Sequence, residues 1–304
     1  MTPRFGIHGG LQNTTVGELR AIWQQAEQLD FDWISVWDHF YAASAYATSP
    51  SDYECHEAVT MHAALACSTS QVRCGCLVYC AGYRHPGVLA KAIATIDHLS
   101  GGRAEIGLGA GWAQGEYAAY GFPFPGAGQR LDLLEESAAC VRSLLRNELT
   151  DYEGEHFHFT EARLEPRPVQ PELPIWIGGG GERRTLRIVA RYADGWNVPF
   201  VSPEDFARKR KVLDDHCASE GRDPAEIRSA VNLGICADEE SLRTQFGAIA
   251  EFVRPGVLVG QHQQLVDRIG EYIAAGADQV NFALRAPWDP GLLELAAESA
   301  SAHR

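Results

Sequence analysis

The strongest constraint in this sequence is an alternation that runs along its whole length. Short apolar runs are separated by amphipathic stretches, the order that yields parallel strands covered by helices. Eight runs qualify as strands: Arg4–His8, Asp32–Trp37, Val72–Tyr79, Arg103–Ala110, Pro174–Gly178, Asp194–Val198, Ile227–Cys236 and Asp278–Leu284. Helices are expected near 15–29, 55–69, 86–99, 129–147, 182–192, 203–220, 239–251 and 262–275, with a last one near 290–303. In one of them Leu134, Ala138, Val141 and Leu145 recur at helical spacing. Ser100-Gly101-Gly102 ends one helix, and Ser202-Pro203-Glu204 opens another with a capping residue and a first-turn proline. Eight strand–helix units imply an α/β chain closed into a (β/α)8 TIM barrel, and a single such domain accounts for residues 1–304. A doubly wound open sheet would carry its glycine fingerprint directly after the first strand. Here Gly9-Gly10 runs on into Leu11-Gln12-Asn13, which does not match it.

The alternation breaks between Thr150 and Pro174. Tyr152 to Phe159 reads as a small hairpin, and Pro166, Pro168, Pro171 and Pro174 lead into the fifth strand, so a short insertion over the barrel is expected there. No apolar run approaches the roughly 20 residues that span a bilayer, and Met1 to Ile7 lacks the apolar stretch of a secretory signal. A cytoplasmic location follows as the expectation. In that compartment Cys55, Cys67, Cys74, Cys76, Cys80, Cys140, Cys217 and Cys236 read as reduced core thiols, and Cys74-x-Cys76 lacks the second pair that a zinc site requires. A net charge of −14 disfavours nucleic acid and anionic membranes as partners. The expected partner is a small molecule, and any anionic cofactor must find a local basic patch.

Barrel enzymes place their chemistry at the C-terminal ends of the strands. Those ends deliver His8, Asp38-His39, Cys80 to Arg84, Gly109 to Trp112, Gly178 to Gly181 and Trp196-Asn197. Gly178, Gly179, Gly180 and Gly181 stand between the apolar strand Ile175-Trp176-Ile177 and a helix expected from Glu182. Glycines let backbone approach an anion, and a helix start offers unpaired N–H groups and the positive end of its dipole. Arg183 and Arg184, with Arg187 and Arg191 further along, would add positive charge. The turn therefore reads as a phosphate site, against the alternative of a flexible βα turn before a solvated basic helix. Gly107 and Gly109 fall inside a strand, where missing side chains would make room for a flat ring or simply allow close backbone packing. Asp38-His39 offers an imidazole that titrates near neutrality and a carboxylate that can accept a hydrogen bond. A hydrolytic metal site is not expected: the first strand carries His8-Gly9-Gly10 in place of His-x-His, and His56 and His62 are six residues apart.

Taken in order, these segments resemble the luciferase-like monooxygenase family, above all its branch dependent on coenzyme F420. The resemblance covers nearly the whole chain from Phe5 to about Leu284. It is carried by Val36-Trp37-Asp38-His39-Phe40, by Tyr83-Arg84-His85-Pro86, by Leu99 to Arg103 running into Gly107 to Trp112 and Glu116, by Pro171 to Gly179, by Ala193 to Asn197 and by Ala275 to Asp278. It implies a flavin-type ring over the strand ends, its phosphate at Gly178–Gly181, and Asp38 and His39 facing the ring, with His39 transferring the proton. It also implies a bulged third strand with a non-prolyl cis peptide near Leu77-Val78, and Cys80 at the ring edge. The cofactor-binding set is thus Asp38, His39, Leu77, Val78, Cys80, Gly109, Gly111, Trp112, the four glycines and Arg183.

One departure matters. Sugar-phosphate dehydrogenases of this branch have a carboxylate after the Gly-x-Gly of the fourth strand, and Trp112 stands there instead. The short chain and modest insertion favour F420, with FMN, served by a separate reductase in a monooxygenase, as the alternative. A barrel that binds flavin without turning over is a second alternative. The substrate is not legible, although Trp112, His8, Tyr41, Tyr46, Tyr53 and His56 could shape an aromatic pocket. A homodimer is what the resemblance implies.

Overall fold

The structure is a computed structural model that describes residues 2–41 and 54–304. Tyr46 and Tyr53 lie outside the described residues. In chain order the strands are β1 (Arg4–Gly9), β2 (Trp33–Val36), β3 (Arg73–Cys76), β4 (Tyr79–Cys80), β5 (Ala104–Gly109), β6 (Thr150–Glu153), β7 (His158–Ala162), β8 (Ile175–Gly178), β9 (Gly195–Pro199), β10 (Arg228–Cys236), β11 (Val257–Val259) and β12 (Gln279–Leu284). The ladder runs β1-β2-β3-β5-β8-β9-β10-β12 and closes on β1, every pairing parallel. Gln279–Leu284 face Arg4–Gly9 residue for residue at that closure. The eight expected strands are thus the barrel itself, and β6 and β7 form the antiparallel hairpin of the insertion.

The helices are α1 (Val16–Gln28), α2 (Ala58–Ser68), α3 (Pro86–Ser100), α4 (Gln114–Ala119), α5 (Ala127–Arg146), α6 (Thr185–Tyr192), α7 (Pro203–Glu220), α8 (Glu239–Phe246), α9 (Ala250–Val253), α10 (His262–Ala274) and α11 (Pro290–Ser301). Local chemistry sets several of their ends. Thr15 and Glu18 form a capping box at the start of α1, Thr15 Oγ1 accepting from the Glu18 amide at 3.2 Å and Glu18 returning the bond to the Thr15 amide at 2.7 Å. Ser202 caps α7 with Pro203 in the first turn, and α7 ends on Gly221 at φ 69°.

Two cores result. The outer one lies between strands and helices, where Ile7, Ile34, Ile106 and Ile175 meet Leu19, Leu65, Ile93 and Leu186. The inner one fills the barrel with Trp33 and Trp176, ring centroids 5.8 Å apart, beside Leu77 and Ala230. Space for the two indoles comes from glycines: a Cβ on Gly75 would lie 2.7 Å from Trp33, and one on Gly195 would lie 2.4 Å from Trp176. Above the indoles Asn197 and Asn281 both donate to Asn232 Oδ1 at 2.9 Å, so these buried amides satisfy one another.

The structure departs from the sequence reading in four places. The third strand is not continuous over Val72–Tyr79 but breaks at Leu77-Val78 into β3 and β4. The helix expected from Glu182 begins at Thr185, because Gly181 O accepts from the Leu186 amide and leaves 182–184 as a turn. The helix expected over 239–251 is split at Gly247, whose φ is 51°. The short α4 and β11 had no counterpart in the alternation.

Candidate active site

The C-terminal end of β2 delivers Asp38 and His39 to different environments. Asp38 is buried, and its Oδ2 accepts from the Cys80 amide at 2.9 Å and from Arg84 at 2.6 Å. Burial pushes its carboxyl above the usual value, against the pull of Arg84. Arg84 also binds Glu57 at 2.6 Å, so Asp38 ties the β2 end to β4 and to the approach to α2. Asp38 is the more enclosed of the two, its side chain 4% exposed, and His39, at 16%, is the member that reaches the barrel mouth.

His39 rests on a carboxylate. Its Nδ1 lies 2.9 Å from Glu116 Oε1, and the other oxygen of Glu116 accepts from the Tyr83 hydroxyl at 2.9 Å. Glu116 sits on α4 and is 1% exposed. A carboxylate only accepts, so Nδ1 carries the hydrogen and Nε2 is left for proton traffic. The edges of Trp37 and Trp112 flank the imidazole at 5.3 and 5.4 Å between centroids. His8 lies behind Trp37, bonded through Nδ1 to Ser35 Oγ at 2.8 Å. Burial, then the nearby Arg285 and His39, push its imidazole down to about 4, so His8 is neutral at pH 7. His56, expected in the pocket, is instead bonded to Thr14 O at 3.0 Å.

The break between β3 and β4 forms a platform. The Leu77-Val78 peptide is cis, and Val78 projects across the barrel between two glycines. A Cβ on Gly109 would fall 2.4 Å from Val78 Cγ2, one on Gly178 would fall 2.7 Å from Val78 Cγ1, and one on Gly107 would fall 2.3 Å from Cys76 O. This corrects the reading of Gly107 and Gly109 as open room for a flat ring. Their space is filled by the bulged strand, and any ring would lie on Val78. Cys80 Sγ is 2.7 Å from Tyr117 Oη, and burial holds its thiol up at about 11, which makes it a packed thiol and not a nucleophile. Gly111 has φ 76°, and a Cβ there would approach Tyr117 Oη to 2.3 Å. Trp112 is 59% exposed beside His39.

The glycine turn follows β8. Gly179 donates to Asn197 O at 2.9 Å and accepts from Trp196 Nε1 at 2.8 Å, while Lys209 donates to Gly180 O at 2.8 Å. The amides of Gly180, Gly181, Glu182 and Arg183 find no acceptor among the described residues. The basic helix is less basic than its sequence suggests: Arg184 binds Asp132 and Glu135, Arg187 binds Glu135, and Arg191 binds Glu135 and Glu220. Of the four arginines, Arg183 alone has no ion pair among the described residues. Arg187 and Arg191 thus fasten α6 to its neighbours, and Arg183 at the glycine turn is left without an ion pair among the described residues.

Glu116 and Tyr117 pack against these residues but were not singled out by sequence as active-site groups, whereas Tyr83 lay within the strand end Cys80 to Arg84. Glu116 had one available signal, its place one helical turn beyond Trp112, where an acid returns to the strand-four end. Among the described residues no cluster of His, Cys, Asp and Glu is arranged to hold a metal, and no helix is long and apolar enough to cross a membrane.

Comparison with known proteins fits this geometry. An uncharacterised protein of Mycobacterium tuberculosis is 37% identical over 205 residues, covering 67% of this chain and 69% of the relative. The 5,10-methylenetetrahydromethanopterin reductase of Methanolobus tindarius is 27% identical over 253 residues, covering 83% and 71%. An F420-dependent secondary alcohol dehydrogenase, solved with an F420–acetone adduct, has the same fold, with a TM-score of 0.89 at 18% identity over 100% of both chains. The profile of the luciferase-like monooxygenase family matches residues 2–246, and with that match over most of its length the chain belongs to this family of oxidoreductases.

Proposed function

We propose that this protein transfers hydride reversibly between reduced coenzyme F420 and a C=C, C=N or C=O group of a small organic substrate. The observation that carries the reading is His39 at the barrel mouth, backed by buried Glu116 and flanked by Trp112. Coenzyme F420, when bound, supplies a two-electron hydride donor that does not activate oxygen. The residues present suit such a group. Leu77 and Val78 offer an apolar platform wedged in place by Gly109 and Gly178, and the turn Gly178–Gly181 with Arg183 offers amides and a cation that have no partner among the described residues. Cys80 and Gly111 pack behind the platform, and Asp38 holds it through the Cys80 amide.

The protein's own contribution to the chemistry is proton movement and exclusion of water. His39 Nε2 gives a proton to the substrate atom adjacent to the reduced carbon, or takes it in the reverse direction, and Glu116 stabilises the imidazolium formed when it does. Trp112 and Trp37 wall the imidazole and favour a planar or apolar substrate against it. Support for F420 over FMN comes from the higher TM-score to an F420-dependent dehydrogenase, 0.89, than to an FMN-bound Baeyer–Villiger monooxygenase, 0.75, both matched over nearly their whole length.

Titration of the purified protein with coenzyme F420 and FMN side by side tests the reading. Saturable quenching by F420, weak FMN binding and no oxygen incorporation from reduced FMN in air are expected. Tighter FMN binding with oxygen incorporation would establish the monooxygenase alternative. Tight F420 binding with no turnover across ketone, imine and enoyl substrates would mark a carrier protein.

A further inference from the structure

The opposite end of the barrel holds a second cavity, about 570 Å3, ringed by the residues that begin the strands. Its volume lies within the range of about 300–1,000 Å3 usual for small-molecule sites. Three arginines enter it from alternate barrel strands: Arg4 opens β1, Arg73 opens β3 and Arg228 opens β10. One buried carboxylate answers them. Glu105 is 1% exposed and accepts from Arg4 at 3.2 Å, from Arg73 Nε and from Trp176 Nε1. Burial would raise its carboxyl, but Arg4 and Arg73 bring it below the ordinary value, so it is charged.

The third guanidinium is left over. Arg228 makes no side-chain hydrogen bond or ion pair among the described residues, and burial, then the charge of Arg4, depress its pKa against the pull of Glu105 and Asp278. The other carboxylates at the rim are spoken for: Asp194 is shared by Arg142 and Arg146, Asp278 by Arg210, and Glu226 by Arg222. The cavity lining holds three arginines and four carboxylates, but Asp194, Asp278 and Glu226 pair with arginines outside it, so the inner group of Arg4, Arg73, Arg228 and Glu105 is its cationic part. An unpaired, half-buried guanidinium is costly. A cationic inner group in a cavity of this size complements an anion with room for an organic body.

We propose that this bottom cavity is a binding site for a small organic phosphate, whose phosphate group pairs with Arg228 and is shared with Arg4 and Arg73. The site lies at the opposite end of the strands from His39 and does not depend on the cofactor assigned there. A ligand held in it bridges β1, β3 and β10 and stabilises the barrel by mass action.

Calorimetric titration at constant ionic strength with inorganic phosphate and with glycerol phosphate tests the proposal in wild type, Arg228→Met and Arg183→Ala. The Arg228 side chain makes no hydrogen bond or ion pair among the described residues, so its replacement leaves the backbone pairing of β10 in place; Arg228→Gln is the second variant should the methionine fail to fold. Saturable binding is expected in wild type and in Arg183→Ala, tighter for glycerol phosphate, and weakened about tenfold or more without Arg228. Three results would overturn it: no saturable binding in wild type, equal affinity with and without Arg228, or loss of binding in Arg183→Ala, which would place the anion at the glycine turn. Binding of inorganic phosphate with exclusion of glycerol phosphate would overturn the organic ligand.

Discussion

His39 and Glu116 are 77 residues apart in sequence and 2.9 Å apart in space, and the second residue decides what the first can do. An ionised Glu116 fixes the imidazole tautomer and stabilises its protonated form; an amide in its place keeps the shape and removes the charge. Glu116→Gln is therefore expected to lower kcat about 10²-fold while leaving cofactor affinity unchanged, and to shift the pH–rate profile. His39→Ala should cost at least as much, and the double variant no more than His39→Ala alone, since the two act as a unit. A Glu116→Gln enzyme with wild-type kcat and pH profile would sever the dyad from the chemistry. The arginines of α6 give a contrast at the same scale. Arg183→Ala should weaken cofactor binding about tenfold, the worth of one charge-assisted contact, with its melting temperature unchanged. Arg187→Ala should leave affinity untouched because Glu135 already neutralises that side chain. Binding isotherms on the two variants separate a cradle residue from a clamp. Sequence displayed all four arginines equally, since their acidic partners come from α5, some fifty residues earlier, and from the end of α7.

At the scale of elements the barrel was legible and its most functional strand was not. Eight apolar runs stand out because each strand of a covered parallel barrel is buried on both faces. Cys76-Leu77-Val78-Tyr79 is apolar throughout, with no glycine or proline to mark a break, so the residues themselves indicate one strand and only the family resemblance pointed to a bulge. The physical signal for the bulge lies on its neighbours, in Gly107, Gly109 and Gly178, each of which leaves the space that the bulge fills. The start of α6 was misplaced for a related reason: Gly181 O bonds to Leu186, five residues on, a choice of partner that no periodicity reveals. The bulge can be tested as an element. Gly109→Ala puts a methyl 2.4 Å from Val78 Cγ2, and overpacking of this kind costs about 1–3 kcal/mol. Its melting temperature and cofactor affinity should both fall. Val78→Ala removes the opposing methyls, so the Gly109→Ala/Val78→Ala double variant should be more stable than the sum of the two single losses. Strict additivity would show that the two residues do not meet.

At the scale of the molecule the same closure that places His39 at one end and the arginine cavity at the other also seals histidines inside, and this sets how the barrel meets acid. His62 on α2 is 0% exposed, its Nδ1 2.9 Å from Tyr79 Oη at the start of β4. Burial pushes its imidazole from 6.5 down to about 4. Between those values the unfolded chain binds a proton that the folded chain refuses, so stability falls as pH is lowered. The contribution of His62 is fully present above about pH 6.5 and is lost as pH falls through about 4, a difference of about 3 kcal/mol at 1.36 kcal/mol per pH unit. That is a sizeable share of the roughly 5–15 kcal/mol that holds a domain together. His8, also pushed down to about 4, acts with the same sign. His62→Gln keeps a partner for Tyr79 and cannot take up the proton. Its stability at pH 7 is expected to be lower than that of wild type, yet its loss between pH 7 and pH 4.5 should be smaller by about 2 kcal/mol. Urea denaturation at the two pH values measures both numbers. Parallel stability–pH curves for wild type and variant would show that His62 is not the group that charges on unfolding, and would move the acid sensitivity of the barrel to His8 and the paired carboxylates.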